Sequence, residues 1–145
     1  MALVGDVIDR LDDRVATLRG RVSGAAELAD MMRRNALPQV TPAAHVLPAG
    51  IQAGRDQAAT GLYIQSVDRV IAVVLTVRSH DPSGARALGE LDTLIDAVIT
   101  AVAGWGPAGA MGVFRLMRVP PPDIAAGTLV QEISFALPDQ LRILT

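Results

Sequence analysis

The chain has 145 residues, enough for one core that buries roughly two-thirds of the unfolded surface, and at 50% hydrophobic and 19% charged it is too apolar to stay disordered. Its formal net charge is -2, with acids and bases interspersed, which excludes the basic footprint of a protein built to hold nucleic acid or an anionic membrane. All 13 basic residues are arginine and there is no cysteine, so Schiff-base lysines, Walker-type phosphate loops, thiolate metal sites, disulfides and cysteine nucleophiles are excluded.

Leu3, Val4, Val7, Ile8, Leu11, Val15 and Leu18 recur at helical spacing and predict an amphipathic helix over residues 2–19, ended by Gly20. Asp6 and Arg10, four apart on its polar side, are placed to pair. A second helix is expected over residues 25–34, with Leu28, Met31 and Met32 inward and Pro38 closing it. Residues 43–47 read as a short strand between Pro42 and Pro48, followed by a polar, Gly- and Ala-rich loop over residues 48–61. Residues 62–67 and 70–78 read as one long strand or two abutting ones, apolar on both faces and therefore central. Asp81 is expected to cap a helix that begins with Pro82 and runs to about residue 103, with Leu88, Leu91, Leu94, Ile95, Val98, Ile99 and Val102 as its apolar stripe. Two further strands follow, over residues 112–119 and 127–137, separated by Pro120, Pro121, Pro122 and Asp123, which oppose helix and ladder alike. The expected class is α+β: a mostly antiparallel central sheet flanked by the N-terminal helix and a long helix between strands, in one domain over residues 1–145. Residues 70–75 form the longest solidly apolar run, too short for a membrane span, and the start does not read as a signal peptide. The expected product is soluble and cytosolic, with no membrane partner.

The chemical motifs are weak. Gly104, Gly106 and Gly109 fit G-x-G-x-x-G, but they follow a helix and precede a strand, the reverse of a dinucleotide-binding turn. They read as a helix end and turn anchored by Trp105. Ser79, His80 and Asp81 are neighbours at a strand end, where alternate side chains point apart and form no triad. His45 and His80 lack spaced carboxylates to complete a metal site. Asp9 with Asp13, and Asp92 with Asp96, pair one helical turn apart, as solvated helix surfaces do. No enzyme activity, cofactor or metal is expected. High apolar content with few charges instead predicts self-association.

Four stretches, in this order and spacing, resemble the tail terminator proteins of long-tailed bacteriophages. They are T-P-A-A-H-V-L-P at 41–48, S-V-D-R-V-I-A-V-V-L-T-V at 66–77, L-I-D-A-V-I-T-A-V-A-G-W-G-P at 94–107 and L-V-Q-E-I-S-F-A-L at 129–137. The chain departs from some relatives in its Ala- and Gly-rich segment 52–61 and its lack of lysine. The resemblance implies a ring-forming virion subunit, a hexamer that caps the tail tube, stops its polymerisation and meets the head-completion proteins. It would be assembled in the host cytoplasm and stand at the head–tail junction. DNA would pass through transiently and without specific contact. On this reading the subunit contacts fall on the edge strands, the turn at 104–112, Trp105, and Arg69, Arg78 and Arg115 as polar anchors near strand ends. The loop carrying Gln52, Arg55, Asp56 and Gln57 would be mobile and would order on docking. Two other readings remain open: another ring of the same machine, such as an adaptor, stopper or tube protein, or an oligomeric regulatory domain that binds a small ligand. Self-polymerisation into tubes distinguishes the former, a ligand-induced thermal shift the latter.

Overall fold

A computed structural model describes residues 2–81, 83–125 and 127–144, and the side chains of all of these except Ala58 and Ala125. Helix α1 (Leu3–Arg14) is followed by a single 3-10 turn (Ala16–Leu18), strand β1 (Val22–Ser23) and helix α2 (Ala25–Arg33). Two 17-residue strands, β2 (Ala43–Ala59) and β3 (Leu62–Arg78), lead into α3 (Ala85–Val102). The short strands β4 (Arg115–Arg118) and β5 (Asp123–Ala125) precede a third long strand, β6 (Thr128–Leu144).

The sheet runs β1-β2-β3-β6-β4, with β5 pairing β6 on the β4 side. All pairings are antiparallel except β1 with β2. β3 is central, as its doubly apolar pattern predicts, and it is one continuous strand. Its residues Ile71, Val73, Leu75 and Val77 line up with Phe135, Ile133, Gln131 and Leu129 of β6. That row packs against Leu3, Val7 and Leu11 of α1 and Leu91, Leu94, Val98 and Val102 of α3. Full burial of each such aliphatic side chain is worth roughly 1.5–3 kcal/mol. Gln131 is the polar member of the row, and its side-chain Nε2 donates to the carbonyls of Pro120 (2.6 Å) and Glu132 (2.9 Å). Those bonds let a 2% exposed amide sit among hydrocarbons.

Several boundaries differ from the sequence expectation. α1 stops at Arg14, and the chain turns through the 3-10 segment so that Leu18 still reaches the core. Arg10 does not pair with Asp6; its Nε donates to the Ala101 carbonyl at 2.8 Å and ties α1 to α3. Met32 is 72% exposed and Leu88 40% exposed, so neither joins the core. Asp81 does not cap α3, whose N-cap is Gly84; the Asp81 carboxylate instead accepts from the Ser83 backbone and hydroxyl. Pro82 lies outside the described residues. Asp123, placed among ladder-breaking residues by its prolines, opens β5 and pairs with Val130. The strand expected over residues 112–119 is shortened to β4, and the one expected over 127–137 extends as β6 to Leu144.

The largest difference lies at residues 48–61. They do not form a loop: residues 48–59 continue β2, pairing with β3 from Pro48↔Ile71 to Ala59↔Leu62. A tight turn at Gly61, with φ of 91°, closes the hairpin. Register shifts between Pro48 and Ile51, and between Ala53 and Asp56, insert an extra residue at each point.

Candidate assembly site

The outer halves of the long strands, residues 51–59, 62–69 and 138–144, form a three-stranded arm with no residue in the core cluster, although Val67 within it is buried. No further strand pairs with either of its outer edges among the described residues. β1 pairs β2 only at Ala44 and His45, and β4 pairs β6 only from Ser134 to Ala136. Gln52, Arg55, Asp56 and Gln57, expected on a mobile loop, are exposed along the ladder-bonded β2 edge of this arm.

Without helices to cover it, the arm is fastened by polar contacts. Arg69 Nε donates to Asp139 Oδ2 at 2.7 Å on the helix-side face, and Arg115 Nη2 to Asp68 Oδ2 at 3.1 Å on the opposite face. The Arg69–Asp139 pair is about two-thirds or more buried, with side-chain exposures of 32% and 23%. The hydrogen bond from Arg69, helped by the Gln140 backbone N–H, holds the Asp139 carboxyl below its ordinary pKa of 3.8. Gln65 Nε2 donates to the Gly54 carbonyl at 3.1 Å, and the Tyr63 hydroxyl donates to Gln65 Oε1. Gly54 is required here because a Cβ would lie 2.8 Å from the Ser66 carbonyl oxygen.

The remaining candidates are spread out. Arg78 sits at the other end of β3 and donates to the Pro38 carbonyl at 3.1 Å, pinning the segment after α2. Trp105 anchors the turn after α3: its ring stacks on Phe114 at 5.8 Å, and the Arg10 guanidinium lies 5.0 Å from its centroid. The structure thus brings Arg69 and Arg115 together at the arm's root, and places Arg78 and Trp105 elsewhere. Spacing does not point to Asp68 and Asp139, their partners, because pairings 47 and 70 residues apart in sequence depend on register.

Ser79 Oγ donates to the Asp81 carbonyl at 2.9 Å and His80 is exposed, so the three catalytic letters do not converge. The cleft beside them, about 570 Å³, is lined by Arg78, His80, Asp81, Arg86, Ala87 and Glu90, without a nucleophile held by a base. Among the described residues, no three His, Asp or Glu side chains group as a metal site would need. Among the described residues, no helix is long and apolar enough to cross a membrane.

The chain matches the phage tail terminator protein family over residues 2–143, nearly its whole length. It belongs to the phage tail terminator family. The terminators are structural virion proteins of the phage tail, and that role requires surfaces for other tail or head components. No curated protein sequence matches the chain. In this terminator the arm is the feature that stands apart from the core, and it is stiffened at its root by two arginine–carboxylate pairs.

Proposed function

We propose that the protein forms a closed ring, a hexamer, that caps the end of the phage tail tube at the head–tail junction, stops its polymerisation and offers its far side to the head-completion proteins. The single observation behind this reading, beyond family membership, is the arm: a ladder-bonded, three-stranded projection with no further strand on either edge among the described residues. An exposed strand edge is a template for pairing with another sheet. In this reading the β2 edge bearing Gln52, Arg55, Asp56 and Gln57 docks on the last tube ring. Docking uses a preformed strand, so little ordering entropy opposes it. Arg69 and Arg115 hold the arm at the angle docking needs, while Arg78 and Trp105 brace the core behind the subunit contacts. DNA passes through the ring without a lasting contact, in keeping with the chain's net charge of -2.

The test is the mass of the purified protein by light scattering, alone and with tail tubes, together with tail lengths in infections lacking the protein. Six copies of 15.2 kDa give about 91 kDa. A peak there, with over-long tails when the protein is missing, is the expected result. Tubes growing from the purified protein itself would instead identify a tube subunit.

A further inference from the structure

The exposed large apolar side chains are not scattered. Met32, Leu37 and Val40, with exposures of 72%, 49% and 57%, lie on α2 and the segment after it, on the β1 side of the sheet. Met111, Val113, Leu116, Met117, Val119 and Ile124, exposed from 37% to 69%, lie on and around β4 and β5, the opposite side. Of the remainder, Ile51, Ile143 and Leu144 belong to the arm and only Leu88 to a helix that covers the core. Two apolar margins on opposite sides of one sheet cannot cover each other within a chain.

Their charges are of opposite sign. On the β1 margin Arg21, Arg33 and Arg34 face two carboxylates, Glu27 and Asp30; Arg33 and Arg34 share Asp30, at 3.3 and 2.7 Å, and Arg21 bonds only the Thr41 carbonyl. On the β4 margin Asp123 and Glu132 are exposed and, among the described residues, make no ion pair. Among the described residues Arg118 is the one cation left beside them, since Arg115 is taken by Asp68. One margin therefore carries excess positive charge and the other excess negative charge, around apolar centres.

We infer that the β1 margin of one copy docks against the β4 margin of the next copy, with Met32, Leu37 and Val40 packed on Met117, Val119 and Ile124, and with Arg33 and Arg34 opposite Asp123 and Glu132. The occupant of each surface is a second copy of this chain. This contact is heterologous, head to tail, so each copy keeps one free margin until the ring closes. The inference rests on the ring reading above and specifies which surfaces close it.

The absence of cysteine allows a direct test. Met32→Cys and Met117→Cys are both on exposed positions and are cross-linked with a flexible bis-maleimide. The doubly substituted chain is expected to give a ladder of covalent oligomers that ends at the ring. Each single variant alone is expected to stay monomeric on a denaturing gel, and a mixture of the two to give only the covalent dimer. Dimers from either single variant would show a margin meeting its own copy and would overturn the proposal; so would the absence of cross-links from the double variant at high protein concentration. As a second readout, Arg33→Glu with Arg34→Glu weakens self-association by at least roughly tenfold, and adding Asp123→Arg with Glu132→Arg on the same chain restores it. Unchanged association in the first pair would equally overturn it. Tail length separates the two claims: a ladder with normal tails in infections lacking the protein refutes the capping role and keeps the interface. Over-long tails without a ladder do the reverse.

Discussion

His45 occupies the face of the sheet away from α1 and α3, only 4% exposed, with its Nδ1 lacking a partner among the described residues. It lines a cleft of about 380 Å³ beneath α2, together with Glu27, Asp30, Arg21 and Arg34. Burial lowers its pKa from the ordinary 6.5, against a smaller upward pull from the Glu27 carboxylate. Above that ordinary value the ring is neutral in both folded and unfolded chains and adds no pH dependence to stability. Below it, the unfolded chain takes up a proton that the folded chain resists, so stability falls as the solution is acidified through 6.5 towards the lowered value. The urea midpoint should therefore drop between about pH 7.5 and 5.5, and His45→Gln should flatten that slope. Asp139 does not confuse the measurement, because its depressed pKa places its own loss of stability in stronger acid. An equal slope in the variant would locate the pH dependence elsewhere. The sequence shows this histidine as a strand residue between two prolines and as an incomplete metal ligand; its burial depends on α2 and residues 34–40 folding over it, which no local pattern encodes.

Among the elements, α3 and β3 were legible because each carries an uninterrupted period: a wide apolar stripe for one, apolar residues on both faces for the other. The second half of β2 was not. Two bulges break its alternation, Gly50 takes a φ of 99°, and residues 51–57 are exposed on both faces because the arm lies outside the core. A strand with no buried face leaves no period-two signal, so small and polar residues there resemble a loop. β1 and β5, at two and three residues, are too short for any pattern. The glycine turn after α3 ends the helix as its glycines predict, and its packing explains why. Gly104 N–H donates to the Phe114 carbonyl at 2.8 Å, Phe114 N–H to the Trp105 carbonyl at 2.9 Å, and a Cβ on Gly106 would stand 2.5 Å from the Gly112 carbonyl oxygen. With backbone on both sides, neither can yield cheaply, so Gly106→Ala is expected to cost about 1–3 kcal/mol. Gly89, inside α3 with nothing within 4 Å of its would-be Cβ, is the matched control. Gly89→Ala should stabilise by roughly 0.5–1 kcal/mol. Paired denaturant titrations check both, and similar values for the two would contradict a packing role for the turn.

At the scale of the whole molecule, the sheet is asymmetric in three independent directions. One face carries α1 and α3, the two margins carry opposite excess charge, and one end of the long strands extends as an uncovered arm. This separates two tasks that a capping ring must keep apart, closing on itself and recognising the tube. The separation leads to a prediction that neither surface makes alone. Arg55→Glu with Asp56→Arg reverses the charge pattern on the arm without altering net charge, at exposed positions in the outer half of β2, well along the strand from Ala44 and His45, where β1 pairs. Stability should change by no more than about 0.5 kcal/mol, as for other exposed substitutions. The ring should form with unchanged mass, while complementation of an infection lacking the protein should still leave over-long tails. The margin variant Arg33→Glu with Arg34→Glu should lose the ring and the capping together. If the arm variant instead lost the ring, the arm would belong to the subunit interface, and the unpaired edges of β2 and β6 would have to meet between neighbouring copies rather than on the tube.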